Sequence, residues 1–143
     1  MGSRKHNSAE ARKAEMKLKV MARLNNVPTS PRKMRLVADL VRGMEAEKGL
    51  LVLKTTRKEA AQRLYGLLKS AIANWQIKNE GVRMEDAGLF IREIQVDGGR
   101  MIKRLRTAPQ GRANRIRKRS NHVTLVLGDN LKTEEVSNDN QTN

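Results

Sequence analysis

The sequence predicts an α+β fold, a small antiparallel sheet packed against about three helices, with a long protruding β-hairpin arm. Three observations predict it. A period-two run near one end and two short apolar runs near the other supply three strands. Apolar residues at helical spacing fill most of the chain between them. The two later runs, Ile91-Arg92-Glu93-Ile94-Gln95-Val96 and Val123-Thr124-Leu125-Val126-Leu127, are joined by a long cationic segment with little to bury. A small sheet with helices on one face is the simplest two-layer solution for that order of elements.

Residues 1–16 are polar, mixed in charge and rich in Ala, and read as a disordered or transiently helical tail. From Lys17 the pattern alternates, with Leu18, Val20, Ala22 and Leu24 on one side of a half-buried strand. Val27-Pro28-Thr29-Ser30-Pro31 breaks that strand and opens a helix. Ser30 suits the N-cap, and Pro31 stands at the first helical position, where a missing N–H costs nothing. Met34, Val37, Ala38 and Val41 form its apolar stripe, and Gly43 is its stop. A short second helix is predicted over residues 45–54, weakened by Gly49 in its interior.

Thr56-Arg57-Lys58-Glu59 has the spacing of a capping box. Ala60, Ala61, Leu64, Leu67, Leu68, Ala71, Ile72 and Trp75 then mark a long amphipathic helix to about Asn79, with Trp75 in the core. Residues 81–88 read as a loop, and Asp97-Gly98-Gly99 as turn chemistry. Ala108-Pro109-Gln110-Gly111 carries a chain reversal, closing an arm over about residues 97–121. Strands of about ten residues would reach roughly 33 Å. A two-stranded ribbon is marginal in water, so the tip is expected to order on binding. The polar, acidic stretch 129–143 reads as a second disordered tail, which leaves residues 17–128 as one domain.

Charge decides the class of partner. Thirty basic against fifteen acidic residues in 143 give a net charge of +15, which points to a polyanion. No apolar run is long enough for a membrane-spanning helix, and neither a secretory signal nor a myristoylation pattern is evident. The absence of cysteine excludes disulfides and Cys-based zinc sites and suits a cytoplasmic location. Tyr65, Trp75 and Phe90 are the only aromatic residues, too few for a platform that stacks single-stranded bases. Recognition must rest on Lys and Arg contacts to phosphates in structured RNA or duplex DNA.

No acidic residue lies between Asp97 and Asp129, and nine of the twenty positions from Arg100 to Arg119 are basic. These are Arg100, Lys103, Arg104, Arg106, Arg112, Arg115, Arg117, Lys118 and Arg119. A second candidate is the helix start at Ser30, where free N–H groups are joined by Arg32, Lys33 and Arg35. A third is the face of the long helix bearing Lys69, Ser70, Ala73 and Asn74, where small residues admit a close backbone, although taken alone a plain solvated face fits it better. His6 and His122 stand apart with no cysteine or paired carboxylates, so no enzyme, metal or cofactor is expected.

The motifs resemble one family throughout. Val27-Pro28-Thr29-Ser30-Pro31-Arg32-Lys33-Met34-Arg35-Leu36-Val37-Ala38 with Arg42-Gly43 is similar to the first-helix signature of the large-subunit ribosomal protein L22 family. Leu67-Leu68-Lys69-Ser70-Ala71-Ile72-Ala73-Asn74 is similar to its long-helix motif. Val96-Asp97, Gly99, Lys103-Arg104, Gly111-Arg112-Ala113, Ile116, Lys118-Arg119 and His122-Val123-Thr124 resemble its hairpin and return strand. The resemblance runs from about Lys19 to Asp129 and is of the bacterial type, judged by its compact length.

It implies a structural constituent of the large ribosomal subunit that binds rRNA, supports assembly by bridging RNA domains, and acts without a homo-oligomer. In such proteins the body sits near the mouth of the nascent-chain tunnel. The hairpin passes inward between RNA segments, and its tip lines the tunnel near a constriction shared with another ribosomal protein, close to where macrolides bind. The motif positions matched here are Ser30, Arg32, Lys33, Arg35, Lys69, Ser70, Asn74, Lys103, Arg104, Gly111, Arg112, Lys118, Arg119 and His122. The tip, Arg106-Thr107-Ala108-Pro109-Gln110-Gly111, departs from the usual bacterial Met-Pro-Arg-Ala-Lys type, and Gly49 replaces a customary Ala. The competing reading is an architectural DNA-binding protein that inserts a basic ribbon into a groove, which would call for a dimer.

Overall fold

The computed structural model describes residues 3–83 and 86–129. The order is α1 (Ser3–Leu18), β1 (Val20–Val27), α2 (Pro31–Val41), α3 (Ala46–Thr55), α4 (Glu59–Lys78), β2 (Phe90–Thr107) and β3 (Ala113–Gly128). The strands form one antiparallel sheet in the order β1-β3-β2, so the return strand of the hairpin lies at the centre. Its inner face carries Val20, Ala22, Ile91, Ile94, Val96, Val123, Leu125 and Leu127, all buried. Against them pack Met34, Val37, Ala38 and Val41 of α2, Leu53 of α3, and the predicted stripe of α4 from Ala60 to Trp75. The fold is the expected α+β arrangement, with one helix more than the sequence reading supplied.

That extra helix is α1. A disordered or transiently helical tail was expected over residues 1–16, and a regular sixteen-residue helix, Ser3–Leu18, stands there. Its Ala, Lys, Arg, Glu and Met content is rich in strong helix formers, which outweighs the lack of an apolar face. The strand accordingly begins at Val20 rather than Lys17, in the expected phase. Lys78 of α4 fixes the junction, its Nζ donating to the carbonyls of Lys17 at 2.7 Å and Lys19 at 2.8 Å.

Two local expectations fail. Thr56 does not cap the long helix; it ends α3, its hydroxyl donating to Val52 O at 2.7 Å, while Lys58 takes the N-cap position of α4 without a side-chain cap. The chain has only three residues between the helices, and Thr56 is claimed by the first of them. Nor is Asp97-Gly98-Gly99 a turn. The strand runs through it, with the register shifting between Gly98↔Asn121 and Met101↔Arg119. Gly99 and Arg100 there stand opposite Ser120 alone, which is a β-bulge.

Side chains clothe the outer edge of β2. Arg35 donates from Nε and Nη2 to Val96 O at 3.3 and 2.9 Å, and Arg42 from Nη2 to Ile94 O at 3.1 Å. The α2–α3 connection continues the cover, with Gly43 N bonded to Ile91 O at 3.0 Å and Ile91 N to Met44 O at 2.8 Å. An edge strand with open carbonyls invites pairing with another chain, and these contacts remove that liability. Gly49 has a packing reason rather than a purely weakening effect: a Cβ there would lie 2.9 Å from Ile91 Cδ1, so its absence lets α3 sit close on the sheet.

Trp75 is fully buried, and its Nε1 donates to Asp129 Oδ2 at 3.0 Å. Asp129, expected to begin a disordered tail, therefore belongs to the body. The remainder of that tail, residues 130–143, lies outside the described residues.

Candidate nucleic-acid interface

Pairing between β1 and β3 ends at Val27↔Asn121. Beyond it the hairpin continues alone, from Met101↔Arg119 to Thr107↔Ala113. This free ribbon is about 23 Å long at the usual rise, shorter than the sequence estimate because the bulge and body take the rest. Paired residues share a face of an antiparallel ribbon. One face thus carries Met101, Lys103 and Leu105 with Arg119, Arg117 and Arg115; the other carries Ile102, Arg104 and Arg106 with Lys118, Ile116 and Asn114. Cations occupy both faces, interleaved with apolar residues. Leu105 is 73% exposed and Ile102 53%, so the ribbon has no core of its own.

The root of the arm is tightly specified. Asn121 is fully buried and donates from Nδ2 to Thr29 O at 2.7 Å and Thr29 Oγ1 at 2.9 Å, tying the arm to the turn before α2. His122 Nδ1 accepts from Asn26 N–H at 3.2 Å, so the half-buried imidazole serves the body, with Nε2 beside Gly99. Ser120 Oγ donates to Arg100 O across the bulge. A Cβ on Gly99 would lie 2.7 Å from Ser120 Oγ and 3.2 Å from its carbonyl carbon, so only glycine lets the strands close there. Sequence reasoning missed Asn121, because nothing local marks a residue whose partner lies ninety-two positions away.

At the tip, Ala108 N–H donates to Arg112 O at 2.8 Å, closing the reversal around Pro109. Gln110 and Gly111 both take left-handed backbone, at φ 63° and 70°. Glycine meets that demand without strain, and Gln110 meets it at some cost.

The other predicted positions divide. Arg32 and Lys33 are exposed at the start of α2, and Ser30 holds the N-cap position, its carbonyl accepting from Lys33 and Met34 N–H rather than its hydroxyl capping the helix. Arg35 spends two donors on β2. On α4, Lys69, Ser70, Ala73 and Asn74 are exposed as a common face, with Lys69 Nζ 4.8 Å from the Tyr65 ring centroid. Asn74 Nδ2 donates to Met21 O at 3.1 Å, leaving its oxygen for a partner.

The sequence profile of ribosomal protein L22p/L17e matches residues 22–128. The chain belongs to that family. Large ribosomal subunit protein uL22 of Christiangramia forsetii is 64% identical over 134 residues, covering 94% of this chain and 99% of that protein. The uL22 of Flavobacterium psychrophilum is 59% identical over 137 residues, 96% of this chain and 100% of its own length. That of Bacteroides fragilis is 58% identical over 135 residues, 94% and 98% respectively. In this L22-family chain the matched stretch takes in the sheet, α2 to α4 and the whole arm, and stops short of α1. Membership sets aside the DNA-binding alternative. Among the described residues no helix is long and apolar enough to cross a membrane, and no group of His, Asp and Glu is placed to hold a metal ion.

Proposed function

We propose that this chain is a structural constituent of the large ribosomal subunit whose arm lies between rRNA segments, neutralising phosphates on both of its faces. The observation that carries this reading is the ribbon register. Lys103, Arg115, Arg117 and Arg119 point one way, and Arg104, Arg106 and Lys118 the other, with no carboxylate among them. A one-sided contact would leave several cations crowded together without counter-charge. Two RNA backbones, one on each face, satisfy all of them, and Ile102 and Leu105 gain apolar cover from the same closure.

Arg100 at the bulge and Arg112 at the reversal extend the contact to root and tip. The exposed cations Arg32 and Lys33, the Lys69-Ser70-Asn74 face and the Nε2 side of His122 contribute from the body. The tip, Arg106 to Gly111, faces the exit tunnel beside another ribosomal protein and meets the nascent polypeptide in passing. Joining separate RNA segments through one thin ribbon is the chain's contribution to assembly. The compartment is the bacterial cytoplasm.

Salt titration tests the electrostatic part. With roughly six to ten phosphates neutralised, affinity for isolated large-subunit rRNA should fall about a thousandfold or more between about 50 and about 200 mM salt. A nearly flat response would contradict the proposal.

A further inference from the structure

We propose that α1 is a second RNA-binding element, which grips an rRNA segment other than the one held by the arm. The inference rests on the rRNA-binding reading above and extends it to a helix outside the family-matched residues 22–128. The segment is nonetheless not peculiar to this chain: the alignment with the Flavobacterium psychrophilum relative covers 96% of the chain, and so takes in most of the α1 residues.

Packing does not explain this helix. Every described side chain on α1 from Ser3 to Lys17 is exposed, and Lys78 joins the helix to the body by holding the carbonyl of Lys17. A helix of sixteen residues stands near the length at which isolated helices hold in water, so its helix-forming residues sustain it rather than burial. At 100° per residue, Lys5, Arg12, Lys13 and Lys17 fall within about 140° of the circumference, forming a cationic strip. The aliphatic stems of Arg12, Lys13 and Lys17 gather around Met16, so the three charged groups lie together on the same stretch of helix. Glu10 lies at the margin of the strip, 3.6 Å from His6 Nε2.

The strip fits phosphate better than protein or lipid. Met16 is the only large apolar side chain described on it, too little for a coiled-coil seam or a membrane-lying helix. Its placement also separates it from the arm. Val20 pairs with Leu127 at one end of β1, while the arm leaves beyond Val27↔Asn121 at the other. The root of α1 is therefore about 25 Å from the root of the arm along the sheet. One chain with basic projections from both ends of its sheet ties two RNA segments together.

The test compares rRNA binding by three full-length chains: unmodified, Lys5→Ala/Arg12→Ala/Lys13→Ala/Lys17→Ala, and Lys103→Ala/Arg104→Ala/Arg117→Ala/Lys118→Ala. Alanine favours helix, so the first variant keeps α1, and circular dichroism verifies this. Removing four phosphate contacts should flatten the slope of log affinity against log salt by about three, and erase one rRNA footprint while the arm's footprint persists. A Glu replacement of the same four residues should weaken binding further. An unchanged slope and footprint in the α1 variant, with loss in the arm variant, would overturn this proposal alone. Crosslinks from Lys13 to protein rather than rRNA in assembled subunits would overturn it too. A flat salt response of the unmodified chain would overturn the rRNA-binding reading and this inference together.

Discussion

Arg35 shows how one side chain can be read two ways. Its position near a helix start among cations suggests phosphate contact, yet two of its donors hold the Val96 carbonyl on the outer edge of β2. Arg42, seven residues on, does the same for Ile94, so the pair forms a clamp between helix and strand. Arg35→Met should therefore lower stability by about 1.5–3 kcal/mol, the range for a hydrogen bond involving a charged group, seen as an earlier urea midpoint. Unchanged stability with weakened rRNA binding would assign Arg35 to RNA alone. The cationic block of the arm was legible because charge is written in the sequence and no tertiary contact is needed to see it. The edge-capping duties of Arg35 and Asn74 were not, since they depend on which strand comes to lie beside which helix.

The arm and the body meet at the bulge. Asn121 is buried beneath Thr29, whereas Gly99 to Ser120 lie outside the shared core. Replacing residues 99–120 by a short turn, with Asn121 retained, should leave a body that unfolds cooperatively. Extending the deletion through Asn121 should destabilise it by about 1–3 kcal/mol, because the Thr29 groups it serves lose their partner. Urea unfolding distinguishes these outcomes, and a non-cooperative body in the shorter deletion would contradict the division. Periodicity revealed α2, α4 and the phases of all three strands, because burial imposes it directly. The capping box misled because two helix ends compete for Thr56. Asp97-Gly98-Gly99 misled because bulges and turns demand the same residues. The helix at residues 3–18 was legible only as transient, because helix propensity, unlike an apolar stripe, leaves no pattern of burial to read.

Taken whole, the molecule carries +15 and places its charge where its fold is thinnest. A small two-layer core holds the root of a ribbon that has little to bury and nine cations to neutralise. The body provides rigidity and direction; RNA provides the counter-charge and the cover. This division predicts contact on both faces of the arm, and the absence of cysteine makes it directly measurable, because a single introduced thiol is unique. A hydroxyl-radical source tethered in assembled large subunits at Lys103→Cys, and separately at Lys118→Cys, reports what lies on each face. We expect strong rRNA cleavage from both positions, at different sites in the RNA sequence. Cleavage from one face only, or from neither, would contradict an arm enclosed by RNA.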